Sequence, residues 1–299
     1  MNRVVSVSLG SSKRDKSSRV TLLGEEFALE RVGVDGDLNR FAQMFRDLDG
    51  KVDAFGIGGA DLYLWVGQRR YTFRQIRNLV SGARKTPVVD GSGLKNTLEP
   101  RLIHELARSG AVDFKSSQTL LTGAVDRFGM AEALAEVCPK VVYGDLMFSL
   151  GLPIRLRSYS AMETLARIIL PVVTLLPFKW FYPTGEKQDK RTPKFGWAFE
   201  EADVICGDWH FIRRYCPDKL TGKTIITNTL RKDDLDFLAA ADAAMAITGT
   251  PNVEGESFGT NVMEAMLVAA LGKRPEDLTK KDYENALDSF AWQPSVRTF

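Results

Sequence analysis

The chain has 299 residues, 44% of them hydrophobic and 26% charged, and its 40 Lys and Arg against 38 Asp and Glu leave a formal charge of +2. At roughly 100 to 200 residues per domain this length gives two domains, each able to bury a core, and the composition excludes tails, fibres and repeat arrays. Near-neutrality lacks the single-sign field of a general nucleic-acid or membrane-surface binder, so the expected partner is a small molecule, with no nucleic acid, no membrane, and homo-oligomerisation left open.

Three cysteines, Cys138, Cys206 and Cys216, are too few for a disulfide framework, and their odd number argues against structural pairing. A cytoplasmic location is expected, and the opening Met1-Asn2-Arg3-Val4-Val5 is not expected to act as a signal peptide. Charge is shared unevenly: residues 1–115 carry 19 basic and 14 acidic side chains, residues 116–299 carry 21 and 24.

Val4 to Leu9 reads as a strand. The Ser-studded turn after it holds Lys13, Arg14, Lys16 and Arg19, either a solvated tip or an anion-gripping loop. Arg19 to Val34 gives one or two further strands with a turn at Gly24, and Leu38 to Leu48 an amphipathic helix ended by Gly50. Asp53 to Ile57 is a strand, Tyr63 to Val66 and Arg69 to Phe73 a hairpin turning at Gly67-Gln68, and Phe73 to Ser81 a helix. Pro87 to Val89 is a short strand, followed by the loop Asp90-Gly91-Ser92-Gly93 and a helix to about Arg108. Residues 1–115 thus read as a compact α/β domain with mixed strands, the domain that would present substrate in a two-domain enzyme of the kind named below.

From Gln118 strands and helices alternate. Strands are expected at Thr119 to Thr122, Lys140 to Tyr143, Trp180 to Tyr182, Asp203 to Cys206, Lys223 to Thr227 and Ala244 to Thr248. Helices are expected at Gly129 to Val137, Ala161 to Leu170, Asp233 to Ala240 and Gly259 to Leu271. That rhythm implies a doubly wound, Rossmann-like parallel sheet over residues 116–272. Residues 273–299 add a polar helix, Lys280 to Asp288, and an aromatic tail. The most apolar stretch, Leu165 to Tyr182, contains Arg167, Pro171, Pro177 and Lys179 and falls short of the ~20 clean apolar residues of a membrane span. It reads as a buried helix followed by a strand.

After the strand ending at Thr122, Gly123-Ala124-Val125-Asp126-Arg127-Phe128-Gly129 opens a helix. Strand, glycine turn and helix N-terminus together make an anion site, because the first helical N–H groups lack internal partners. Asp145, 22 residues after Gly123, ends the next strand where a carboxylate accepts hydrogen bonds from an adenosine ribose diol and repels a 2′-phosphate. NAD is therefore expected over NADP. Gly123, Ala124, Arg127, Gly129 and Asp145 form the cofactor set, joined at the other strand ends by Asn228, Thr229 and Gly249. The middle glycine of the fingerprint is missing; Val125 or Asp126 stands there, and Asp126 beside a pyrophosphate is unfavourable unless Arg127 or the ligand geometry compensates.

Asp90 and Lys95 are near enough in sequence to relay a proton as hydride leaves an alcohol carbon. Alternatively, Asn96 is a helix N-cap with Glu99 at the capping-box position. His210 follows a strand at the cofactor edge and is a second acid/base candidate, whereas His104 turns away from its helix's apolar line and is expected in solvent. Cys206, His210 and Cys216 lack a fourth ligand, so no metal is expected. Pro183 to Lys194 is a long polar loop that either closes over a phosphate or an acidic substrate, with Lys187 the nearest basic group, or is a solvated surface loop.

Asp90-Gly91-Ser92-Gly93-Leu94, Leu120-Leu121-Thr122-Gly123-Ala124 with Gly129-Met130-Ala131, and Gly259-Thr260-Asn261-Val262-Met263-Glu264-Ala265 resemble three stretches of the shikimate and quinate 5-dehydrogenases. The resemblance covers the layout of most of the chain but only these motifs. It implies that Asp90 is catalytic, that Gly123 and Gly129 hold cofactor phosphates, and that Glu264 stands where the family has a substrate-binding Gln. Ser11 and Ser12, with Asn96, would contact substrate. No Asn-Val-Thr-x-Pro-x-Lys precedes Asp90, so Lys95 or Lys85 replaces the family's lysine. The expected activity is hydride transfer between nicotinamide and a small polar hydroxy or carbonyl substrate in an interdomain cleft. The alternatives are a non-catalytic dinucleotide- or metabolite-binding protein on the same scaffold, or a folate-type dehydrogenase.

Overall fold

The structure, a computed structural model, describes residues 1–177, 191–250, 252–253, 256–289 and 292–299. The N-terminal unit runs β1 (Asn2–Ser8), β2 (Lys16–Leu22), β3 (Glu25–Gly33), α1 (Leu38–Leu48), β4 (Ala54–Gly58), the hairpin β5 (Tyr63–Val66) and β6 (Arg69–Thr72), α2 (Arg74–Val80) and β7 (Val88–Val89). Its sheet has the order β2-β3-β1-β4-β7, parallel except for the antiparallel pair β2 and β3. That pair turns at Leu23 and Gly24, both at positive φ, as a two-residue hairpin requires. The polar face of α1 follows from its amphipathic spacing, with Phe41, Ala42 and Phe45 buried and Asp37 capping its first amides.

Helix α3 (Ser92–Ser109) carries the chain into the second unit: β8 (Thr119–Leu121), α4 (Phe128–Val137), β9 (Val141–Tyr143), α5 (Asp145–Phe148), α6 (Tyr159–Val173), α7 (Gly196–Glu201), β10 (Val204–Cys206), α8 (Trp209–Tyr215), β11 (Thr224–Thr227), α9 (Lys232–Ala240) and β12 (Met245–Thr248). The short strands β13 (Asn252–Val253) and β14 (Glu256–Ser257) precede α10 (Thr260–Leu271), α11 (Lys280–Ser289) and β15 (Ser295–Thr298). The sheet order is β15-β12-β11-β10-β8-β9, with β15 antiparallel and the rest parallel. Alternate residues face opposite layers. Leu121, Cys206, Ile226 and Ile247 join the core beneath α3, α4 and α10, while Leu120, Ile205, Ile225 and Ala246 pack under α7, α8 and α9. The sheet is therefore doubly wound, and α10 returns to pack on β4, β1 and α3. The first core is continuous through both units.

Several expectations need correction. Helix α3 begins at Ser92, so Asn96 is no N-cap; its Nδ2 donates to Ser92 O at 2.9 Å. The turn is made by Gly91 at φ 89 and by Asp90 Oδ1, which accepts from the Ser92 amide. The apolar stretch after Leu165 is not buried all round. Helix α6 packs through Met162, Ala166 and Leu170, while Ile168 and Val172 are 67% and 59% exposed. The strand expected at Trp180 to Tyr182, and Lys187, lie outside the described residues. The tail contains β15, whose four residues alone give no periodic signal. Among the described residues no helix is long and apolar enough to cross a membrane.

Candidate functional site

The chain runs from β8 to β9 on one side and later places β10 on the other, so the order switches at the carboxyl ends of β8 and β10, the place where open α/β sheets bind ligands. Thr122 and Gly123 leave β8; Gly207 and Asp208 leave β10. Gly207 has φ 144, and a Cβ there would sit 2.1 Å from Thr122 Oγ1, so only glycine lets the two strand ends approach.

Helix α3 supplies the facing wall. Lys95 and Glu99 lie four residues apart, on one helical face, and both are buried. Lys95 Nζ is 2.9 Å from Asp126 and 3.5 Å from Asp61. Glu99 pairs with the Arg127 guanidinium, whose Nη2 also reaches Asp208 at 3.0 Å. Asn228 Nδ2 donates to Asp208 at 3.5 Å. Four carboxylates thus surround two cations. Their depths differ: the Arg127 side chain is 2% exposed, whereas those of Asp126 and Asp208 are each 29% exposed. The two cations and Glu99 form the floor, and Asp61, Asp126 and Asp208 form the rim. Arg127 Nε, also buried, has no hydrogen-bond partner among the described residues and lies 4.0 Å from Asp126 Oδ2.

Burial works to lower the Lys95 ammonium, but Asp126 and Asp61 outweigh it and hold its pKa above the ordinary lysine range. Arg127 is likewise raised, burial being overcome by Glu99 and Asp208. Glu99 moves up because burial exceeds the attraction of Arg127. Asp208 moves down: burial opposes ionisation, but Arg127 and His210 favour it more strongly.

Asp145 closes onto the glycine turn itself. Its two carboxylate oxygens accept the amides of Ala124 and Val125, each at 3.0 Å, the N–H groups that a pyrophosphate at this turn would need. Burial is the larger influence on Asp145 and raises its pKa, against those two amides. Gly129 serves helix packing: a Cβ would lie 3.0 Å from Pro100 Cγ and 3.3 Å from Asn96 Cα on α3. Gly123 faces open space.

Asp90 and Lys95 are not brought together. Asp90 Oδ2 accepts the amides of Leu62 and Tyr63, both at 2.7 Å, tying the hairpin to the start of α3, while Lys95, one helical turn on, faces Asp61 and Asp126. His210 is exposed, its amide held by Asp208 Oδ1 at 2.8 Å. His104, half-exposed, meets Glu136 at 2.9 Å. Ser11 Oγ accepts the Lys13 amide at 3.2 Å, and the Ser12 amide donates to Asp35 at 2.8 Å, so both serve their own loop. Thr229 meets Thr250, and Gly249 O accepts from Trp292 Nε1 at 2.7 Å. Glu264 accepts the Tyr283 hydroxyl on Oε1 at 2.6 Å, while Oε2 is buried with no partner among the described residues. Burial first, and the charge of Asp90 second, push the Glu264 carboxyl up to about 8.

Sequence reasoning did not single out Asp61 or Tyr283, nor see that Glu99 and Asp208 clamp Arg127. One signal was present: Lys95 and Glu99 interrupt an otherwise apolar line on α3. Residues 93–299 match the model of a domain of unknown function, DUF8754, and residues 3–90 match that of another, DUF8753. The two matches meet at the turn into α3. No curated protein matches the chain. Among solved structures, the NAD-dependent malic enzyme of Thermotoga maritima is 11% identical with a TM-score of 0.37, over 97% of this chain and 84% of that one. A galactofuranose binding protein is 14% identical at 0.37, over 97% and 99%. An ABC transporter solute binding protein of Burkholderia multivorans is 9% identical at 0.39, over 99% of both chains. Likeness at these scores carries no argument about activity or ligand. None of these matches shows the expected kinship with shikimate and quinate dehydrogenases, which remains a likeness of three short motifs.

Proposed function

For a chain that belongs to the DUF8754 family, whose model spans residues 93–299, we propose that the cleft between the two units binds a small, uncharged, hydroxyl-rich metabolite. The observation that carries this reading is the buried Arg127 Nε–H, which lacks an acceptor among the described residues and lies beside the part-exposed Asp126 carboxylate. A group that fits both must accept from the guanidinium and donate to the carboxylate, and a hydroxyl does both. An ammonium only donates. A carboxylate or a fully ionised phosphate only accepts and meets the rim of Asp61, Asp126 and Asp208, where like charge opposes it.

A second reading, an NAD-dependent dehydrogenase, is favoured by the order β8, glycine turn, α4, β9 and by the open space at Gly123. It requires Asp145 to release the Ala124 and Val125 amides and a pyrophosphate to lie beside Asp126. In that case Lys95, with Asp61 and Asp126, becomes the proton relay. Thermal-shift measurements across neutral sugars, polyols, NAD and NADP separate the two readings. A specific ligand at about 100 times its Kd adds roughly 2.7 kcal/mol of stability. The cleft reading expects at least one neutral polyol to raise the melting temperature and NAD to leave it unchanged. Stabilisation by NAD, with none by any polyol, replaces it with the dehydrogenase.

A further inference from the structure

Helix α6 places large aliphatic side chains in water at helical spacing. Ile168 and Val172, one helical turn apart on α6, and Leu175, in the turn that follows the helix, are 67%, 59% and 63% exposed. Soluble proteins rarely leave such a stripe uncovered without a partner for it. Its surroundings are basic. Arg167 on α6 is exposed, pairs with Glu163 at 2.7 Å and lies beside Gly67, at the tip of the β5–β6 hairpin. The next residues of that hairpin, Arg69 and Arg70, are exposed, as is Arg74, whose amide donates to Thr174 O at the end of α6. From Leu62 to Lys85 the sequence holds six basic residues and no acidic one; from Ser149 to Pro177 it holds three basic residues and one acid, Glu163.

We propose that this face of α6 docks on an anionic bilayer surface, with the aliphatic stripe entering the boundary between headgroups and acyl chains and the arginines meeting lipid phosphates. The proposal is independent of the ligand reading of the cleft. An apolar stripe flanked by cations is the pattern of a helix lying in a membrane interface, and the 15 residues of α6 are too few to span a bilayer. Charge decides among occupants: a second copy of the same face sets like charges against each other, and a nucleic acid has no use for exposed Ile, Val and Leu.

The test is flotation of the full chain with vesicles of phosphatidylcholine mixed with phosphatidylglycerol, against vesicles of phosphatidylcholine alone. Binding is expected on the anionic vesicles only, falling about tenfold or more at half-molar salt as the Debye length shrinks to a few ångströms. The double variant Ile168→Asp, Val172→Asp, at two exposed positions, is expected to lose binding about tenfold while keeping its circular dichroism. Arg69→Glu with Arg70→Glu, a second route that spares α6, is expected to lose it as well. No flotation on anionic vesicles, equal flotation on neutral ones, or full binding by the α6 variant overturns the proposal. So does a dimer that the α6 variant dissociates in the absence of vesicle binding, or binding of duplex DNA in its place.

Discussion

Glu264 ionises near 8 in the folded chain and near its ordinary 4.5 once unfolded, because burial and the neighbouring Asp90 disfavour its charged form. Across that window the unfolded chain binds fewer protons, so this group makes stability fall as pH rises from about 4.5 to 8 and level off above. Glu264→Gln keeps an acceptor for the Tyr283 hydroxyl and removes the charge. Each tenfold difference in proton affinity between the folded and unfolded chain is worth about 1.4 kcal/mol, so the variant is expected to be more stable than the parent above pH 8 by a few kcal/mol and to lose that part of the pH slope. Urea denaturation at a series of pH values checks it; parallel curves for parent and variant would remove Glu264 as the source. The chain records that a Glu stands here, but its burial against Gly93 and Tyr283 depends on three helices meeting, which no local pattern encodes.

At the scale of elements, the turn into α3 concentrates strain that only one residue tolerates. Gly91 has φ 89, and a Cβ there would lie 2.6 Å from the Asn261 amide nitrogen and 2.8 Å from Thr260 C, both on the backbone at the start of α10. Gly91→Ala is therefore expected to cost roughly 2–4 kcal/mol, from the left-handed backbone and from overpacking against atoms that cannot move aside. A midpoint in urea unchanged from the parent would show that α10 shifts freely. Strands β1 and β4, helix α1 and the β5–β6 hairpin were legible because period-two and period-3.6 patterns ended at glycines or turn residues. The start of α3 was missed because its cap comes from Asp90, outside the helix, and from a glycine conformation. β15 was missed because a four-residue edge strand is defined by its partner β12 rather than by its own side chains.

At the scale of the molecule, the parallel order of β9, β8, β10, β11 and β12 puts the loops after β8 and β10 beside α3, the place proposed for the ligand. The switch in strand order at that place was legible in the alternation of strands and helices and in the glycine turn. The chemistry there was not, because the same turn can present its amides to a phosphate or surrender them to its own acid, and spacing is identical in both cases. Asp145 takes the amides, and Arg127 turns inward to Glu99 and Asp208. What remains for a ligand is a floor donor at Arg127 Nε and a rim of carboxylates. The most direct measurement is a crystal structure of the chain with the polyol that most raises its melting temperature. A ligand hydroxyl is predicted within hydrogen-bond reach of both Arg127 Nε and the Asp126 carboxylate, with Asp145 still on the Ala124 and Val125 amides. A ligand bound elsewhere, or NAD seated with its pyrophosphate on those amides, would contradict the account.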